Sequence, residues 1–246
     1  MGGSLQTIQK YIRDNSVRGW LTFREAELLY NFAKHCSEDN AIVEIGSWEG
    51  KSTIYISNGS KAGNGAHVFA IDPHSGPEQK LDKDIWTYDV FMRNIAGGGV
   101  AELVTPIVKF SEDAAKDFDR PVGLVFIDGG HAYEAVKTDF EKWYPKVVEN
   151  GIIAFHDSIE YDGPRRLLSE IIPGSNSFKS AGIVDGIFFV TKTSHNSYWD
   201  RLRNRYILLL RELVEYGTYV NRRFHPPKVA RVIYKKLTSY IQGRSI

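Results

Sequence analysis

A lone cysteine, Cys36, is the only thiol in 246 residues, which excludes an internal disulfide framework and fits a reducing compartment. Nothing in its neighbourhood signals a lowered thiol pKa, so an ordinary structural thiol is expected rather than a nucleophile. Net charge is scarce too. With 31 Lys and Arg against 30 Asp and Glu, the +1 balance offers no global field for nucleic acid. No apolar run approaches membrane-spanning length, and the opening MGGSLQTIQK lacks the features of a secretory signal. A cytoplasmic protein is the expectation. Internal repeats and low-complexity tracts are also missing.

What is present is enough apolar content, 42%, for one principal core with accessory elements. Two short helices come first, the second opened by Thr22 and Glu25 at capping-box spacing and carried by its apolar pattern to about His35. From Ala41 onward, strand-length apolar runs at 41–45, 68–71, 103–108, 124–127, 152–155 and 187–190 alternate with helical stretches. Their continuous hydrophobicity predicts strands covered on both faces, hence an α/β sheet with crossover helices. Pro106 predicts an edge position or a bulge for its strand. A helix is expected over 132–148, with Val136, Phe140, Trp143, Tyr144 and Val147 on one face and Gly151 as its stop. The chain thus divides into a helical segment at 1–40, a cofactor-binding domain at 41–193 and a basic helical extension at 194–246.

The stretch 41–50, AIVEIGSWEG, ends an apolar strand in a loop bracketed by Gly46 and Gly50. Such a turn lets the backbone approach a ligand, and the amides opening the next helix suit a carboxylate or phosphate. A dinucleotide fingerprint would need a second glycine where Trp48 stands, which disfavours a nicotinamide-dependent oxidoreductase. The pattern Glu44, Gly46, Gly50 suits a nucleoside with an amino-acid end. Asp72, at the end of the second strand, can accept from both ribose hydroxyls, and Ser111 and Glu112 follow the third strand near an adenine edge; for Ser111, helix capping is an equal alternative. The fourth strand runs into VFIDGGHAY and the fifth into IIAFHD, which bring Asp128, His131, His156 and Asp157 to one sheet edge. Asp128 and Asp157 are hard oxygen ligands suited to Mg²⁺. An unperturbed imidazole suits proton transfer near working pH, so His131 reads as a general base, whereas His156 reads as a hydrogen-bonded structural residue.

With these residues in view, the chain resembles the class I S-adenosylmethionine-dependent methyltransferases. The run FIDGGHAYEAVKTDFEKWYPKVVENGIIAFHD resembles the group that includes macrolide and aminocoumarin sugar O-methyltransferases and cephalosporin hydroxylase-like proteins. The resemblance implies a Rossmann-like, mostly parallel sheet of seven strands whose last strand is antiparallel. It also implies that Glu44, Gly46, Ser47, Trp48, Glu49 and Gly50 hold the methionine end of S-adenosylmethionine and that Asp72 binds its ribose. Asp128 and Asp157 would hold a divalent metal, and His131 would take the proton from an acceptor hydroxyl. The acceptor would be a sugar, glycan or other polyhydroxylated small molecule. One departure stands out: His156 occupies a position where related metal-dependent sugar enzymes carry an acid. Trp48, Trp86 and Tyr133 are candidates to line a dry mouth.

After Lys192 the chain turns basic. From His195 onward, eleven Lys and Arg against Asp200, Glu212 and Glu215 leave +8, so the remaining body carries −7. Val229, Val232, Ile233, Leu237, Tyr240 and Ile241 form an apolar stripe between Arg231, Lys235 and Lys236. Such a helix either packs on the domain or a second subunit of a homo-oligomer, or lies peripherally on an anionic membrane. A scaffold protein that retains the cofactor fold and docks through this tail is the non-enzymatic alternative.

Overall fold

The computed structural model describes residues 3–77 and 84–224. Helix α1 (Leu5–Asp14) is opened by the Ser4 hydroxyl, and α2 (Phe23–His35) by the full Thr22–Glu25 capping box. Strand β1 (Ala41–Ile45) leads through α3 (Lys51–Ala62) to β2 (Val68–Ile71), and a hairpin of β3 (Ser75–Pro77) with β4 (Asp84–Trp86) follows. Then come α4 (Tyr88–Gly97), β5 (Val104–Ile107), α5 (Ser111–Asp117), β6 (Val122–Ile127) and α6 (Tyr133–Trp143). The chain continues with β7 (Val147–Phe155), α7 (Asp162–Ile171), β8 (Phe178–Val184), β9 (Ile187–Lys192) and α8 (Tyr198–Phe224).

The main sheet runs β5-β2-β1-β6-β7-β9-β8. Neighbours from β5 to β7 are parallel, and β9 is antiparallel to both β7 and β8. This is the mostly parallel seven-stranded Rossmann-like sheet. Strand order reverses at β1, so the ends of β1 and β6 diverge into the crevice where such folds take ligands. Alternate residues of β1 enter opposite cores: Val43 joins Val125, Trp143 and Phe155, while Ile42 joins Leu29, Ile54 and Leu124. Pro106 sits on the edge strand β5, as its missing N–H requires.

Three details differ from the sequence pattern. The helix expected over 132–148 ends at Trp143, because Pro145 lies in a 3₁₀ turn (Tyr144–Lys146) that cannot continue the α ladder. Gly151 therefore stops no helix; it lies within β7, beside a break in the β6–β7 register. The third run is shortened to Val104–Ile107 by a 3₁₀ turn at Ala101–Leu103.

Helices α2 and α3 touch backbone to backbone. A Cβ on Gly59 would stand 2.2 Å from the Tyr30 carbonyl oxygen, and one on Gly63 1.8 Å from that of Lys34. Helix α8 covers β8 and places Ile207, Leu208, Leu210 and Val214 in the same core as β1. Where Ser180 and Ala181 bulge out of register with β9, Asn204 of α8 accepts from Ala181 N at 3.1 Å and donates to Phe178 O at 2.8 Å. Arg203 donates to Ala181 O at 3.2 Å. The stripe at 229–241 lies outside the described residues. Among the described residues no helix is long and apolar enough to cross a membrane.

Candidate active site

A cleft of about 1400 Å³ opens at the ends of β1, β2, β6 and β7. Gly46 makes the closest crossing. Its φ is 87°, and a Cβ there would lie 2.1 Å from the Asp128 carbonyl oxygen, so the β1 and β6 loops meet only because residue 46 has no side chain. Trp48 follows at φ 42°, and its N–H donates to Asp72 Oδ2 at 2.8 Å. Asp72 Oδ1 accepts from His74 N at 2.7 Å. One carboxylate thus ties two loops together and keeps lone pairs for further donors.

The residues expected around a nucleoside separate into two sets. Gly46, Ser47, Trp48, Asp72, Ser111, Glu112 and Asp128 line the cleft, whereas Glu44, Glu49 and Gly50 stand behind it. Glu44 is fully buried and accepts from the Thr53 hydroxyl; burial pushes its carboxyl up to about 8, the Ser52 and Thr53 hydroxyls pull it down, and the Asp128 and Asp72 charges add to the rise. Glu49 is buried against Arg18, whose Nε lies 3.1 Å from both its oxygens. Gly50 caps α3 in a left-handed conformation. Ser111 is not the cap of α5, which is Phe110; its Oγ instead accepts from Trp143 Nε1 at 2.8 Å. Trp48 lines the cleft, but Trp86 and Tyr133 do not, and the Tyr133 hydroxyl turns outward to Glu170.

Among the described residues, two buried polar atoms on the cleft lining have no hydrogen-bond partner, Ser47 Oγ and His74 Nε2. His74 is 2% exposed with Nδ1 on Thr87 Oγ1 at 2.9 Å, and burial depresses its pKa against the pull of Asp72, so the ring is neutral. Unsatisfied buried groups are costly unless a ligand meets them.

The other half of the cleft is a charge cluster. His156, 6% exposed, places Nδ1 2.8 Å from Asp128 Oδ1 and 3.7 Å from Asp157 Oδ2, and Nε2 3.6 Å from Glu25 Oε2. Burial opposes charge on this ring, yet the Asp128, Glu25 and Asp157 carboxylates overcome it and raise its pKa to about 11. The surrounding carboxylates thus favour the protonated ring. Glu25 also accepts from Thr22 N and Gly186 N, both at 2.7 Å. Burial would raise Glu25 and Asp157, but His156 holds the first below its ordinary pKa, and His131 with His156 does so for the second. Asp128 is raised by burial, with His156 offsetting part of it.

His131 Nε2 lies 2.8 Å from Asp157 Oδ2, and its ring stacks on Tyr161 with centroids 4.1 Å apart and planes at 16°. With Nε2–H donated to Asp157, the Nδ1 lone pair is free to take a proton. Asp157 holds a left-handed φ of 55° to reach this position, a strain characteristic of functional loops. Asp128, His131 and Asp157 bring one ligand atom each within 4.8 Å of one another. This set does not fit Mg²⁺. It offers a nitrogen where a hard cation wants oxygen, and Asp128 is already engaged by an imidazolium that supplies positive charge itself.

Sequence reasoning brought Asp128, His131, His156 and Asp157 together but missed Glu25 as a member, because its capping-box role already accounted for its spacing. It also missed His74, two residues after Asp72, and the pair Trp20 and Trp48, whose rings lie 4.7 Å apart at the cleft rim.

Residues 43–158 match the family model described as a methyltransferase domain. The uncharacterized protein R132 of Acanthamoeba polyphaga mimivirus is 30% identical over 175 residues, covering 68% of this chain and 72% of that protein. Among solved structures, cofactor-bound Rv0187 from MTB aligns with a TM-score of 0.58 at 20% identity, over 78% of this chain and 90% of that one. The O-methyltransferase TomG from Streptomyces achromogenes, involved in tomaymycin synthesis and in complex with SAM, aligns with a TM-score of 0.56 at 17% identity, over 79% and 92%. At these identities the solved structures share the fold.

Proposed function

The chain belongs to the class I S-adenosylmethionine-dependent methyltransferases, and we propose that its acceptor is a hydroxyl oxygen of a sugar, glycan or other polyhydroxylated small molecule. The observation that carries this reading is Asp128: its carbonyl packs under Gly46 while its carboxylate holds His156, so the acid–imidazole cluster lies directly beside the cofactor loop. TomG, an O-methyltransferase of the same fold, is consistent with an oxygen acceptor.

Bound S-adenosylmethionine supplies an electrophilic methyl group on a sulfonium. The residues present fit it. Gly46, Ser47 and Trp48 would receive the methionine end, with Ser47 Oγ finding a partner there. Asp72 would take the ribose hydroxyls on its free lone pairs, and Ser111 and Glu112 would flank the base.

In this reading Asp157 fixes the His131 tautomer, and His131 Nδ1 would take the proton from the acceptor hydroxyl, whose oxygen would receive the methyl group that bound S-adenosylmethionine supplies. Asp128 and His156 hold the floor between the two. Thr22, Glu25, Asp157, Glu160 and Asp185 line the same cleft as Trp20 and Trp48. Carboxylates accept from several hydroxyls and indole faces receive C–H edges, which suits a polyhydroxylated ring. In this division 41–193 is the cofactor-binding domain, and 1–40 contributes Glu25 and Trp20 of the rim. Because Asp128, His131 and Asp157 are a poor set for Mg²⁺, chelation is expected to leave turnover unchanged.

The test is calorimetry with S-adenosylhomocysteine and with NAD, followed by methyl transfer to a glycan panel. S-adenosylhomocysteine should bind, and His131→Ala should lower kcat about 10²–10⁴-fold while retaining that binding. NAD binding alone, or full turnover by His131→Ala, would overturn this proposal.

A further inference from the structure

Among the described residues, helix α8 leaves one face uncovered. Its buried side chains are Asn204, Ile207, Leu208, Leu210, Arg211 and Val214, which pack on the domain. On the opposite side Trp199, Leu202, Tyr206, Leu209, Leu213 and Tyr216 are 39% to 75% exposed. Their spacing is three, four, three, four, three, an unbroken heptad seam along about 26 Å of helix. A contiguous stripe of this kind exceeds scattered surface apolarity and marks a contact face. A period of 3.5 residues is the signature of a helix that pairs with another helix, since it keeps the seam facing a partner axis.

We infer that α8 pairs antiparallel with α8 of a second copy of this chain, forming a two-fold symmetric dimer. In that register Trp199 meets Tyr216 of the partner subunit, Leu202 meets Leu213 of the partner subunit, and Tyr206 meets Leu209 of the partner subunit. Symmetry repeats each layer, so the six residues satisfy one another with none left over. Charge selects the direction. Arg205 and Glu212 lie seven residues apart on the same flank of the seam, and only the antiparallel pair sets each Arg205 beside Glu212 of the partner subunit. A parallel pair would set Arg205 opposite Leu210 of the partner subunit, a position buried in its own domain.

The arginines argue against an anionic membrane as the occupant. Arg201 donates to Asn196 Oδ1 at 2.9 Å, Arg203 to Ala181 O at 3.2 Å, Arg205 to Pro173 O at 3.0 Å and Arg211 to Arg165 O at 3.0 Å. Arg201, Arg203 and Arg211 are tied to their own domain rather than displayed beside the seam, while Arg205 engages its domain through Nε and keeps its Nη groups for the flank of the seam.

The test is sedimentation of the full chain. Wild type should reach about twice the 27.9 kDa monomer mass, and Leu209→Glu should return to the monomer with its helical circular dichroism intact. Glu212→Arg should weaken the dimer at least 10-fold, and adding Arg205→Glu should restore it. A monomeric wild type, or a dimer unchanged by Leu209→Glu, would overturn the proposal. A double charge swap that stays as weak as Glu212→Arg would overturn the antiparallel register. Binding of wild type to anionic phospholipid vesicles, lost in Leu209→Glu with no change in mass, would assign the face to a membrane instead.

Discussion

At the ends of β1 and β2 the cleft is held by backbone, and at the ends of β6 and β7 it is held by charge. On the first side, two N–H donors to Asp72 fix the loops within a single stretch of about thirty residues, and the absent side chain of Gly46 lets that stretch meet the Asp128 carbonyl. On the second, Glu25, Asp128, His131, His156 and Asp157 arrive from three separated segments and hold one another through protonation. A backbone cradle is insensitive to pH and suits a constant ligand. A carboxylate–imidazole cluster is tunable and suits the step in which a proton moves.

The contrast predicts different failures. The largest effect belongs to Gly46→Ala, whose Cβ must displace the Asp128 carbonyl and so disturbs both halves at once; kcat/KM should fall about 100-fold or more, with S-adenosylhomocysteine affinity falling alongside in calorimetry. Asp72→Ala strands the Trp48 and His74 amides and should weaken S-adenosylhomocysteine binding about 10- to 100-fold, while the pH profile of kcat keeps its shape. Glu25→Gln should do the reverse, lowering kcat about 10-fold and shifting that profile with S-adenosylhomocysteine affinity unchanged. If it weakens the cofactor as much as Asp72→Ala does, the two halves are not separate.

The remaining effect is on stability rather than on turnover or binding. The folded Glu44 carboxyl, raised from 4.5 to about 8, keeps a proton that the unfolded chain has already released. Between those values the native state binds more protons, so wild-type stability should fall with rising pH, by roughly 1.4 kcal/mol per unit at most from this group. Glu44→Gln carries no such proton. Its urea midpoint should not share that decline between pH 5 and pH 8.

These two halves were not equally legible. AIVEIGSWEG and Ile71-Asp72 are local patterns in which apolar strand, glycine and acid follow in order, so strand ends and loop were readable from adjacent residues. The DGGH and HD segments revealed their members but not their pairing, since which carboxylate meets which imidazole depends on loop paths such as the left-handed Asp157. Glu25 could not be assigned from spacing at all. It reaches His156 because α2 lies on α3 at Gly59 and Gly63, a contact between segments some thirty residues apart. Strand β8 escaped for a related reason: its bulge at Ser180 and Ala181 interrupts the simple apolar run.

That bulge also governs how the sheet ends. An open border strand offers free N–H and C=O groups to any extended peptide and is a common start for aggregation. Here Asn204 and Arg203 take the Phe178 carbonyl and both backbone groups of Ala181 on the β8 border, and the β5 border carries Pro106, which has no N–H to give. Neither margin is a template for a further strand. Partially opened molecules that lose α8 should therefore be the ones that polymerise, and a substitution at Asn204 should expose this border without touching the cleft.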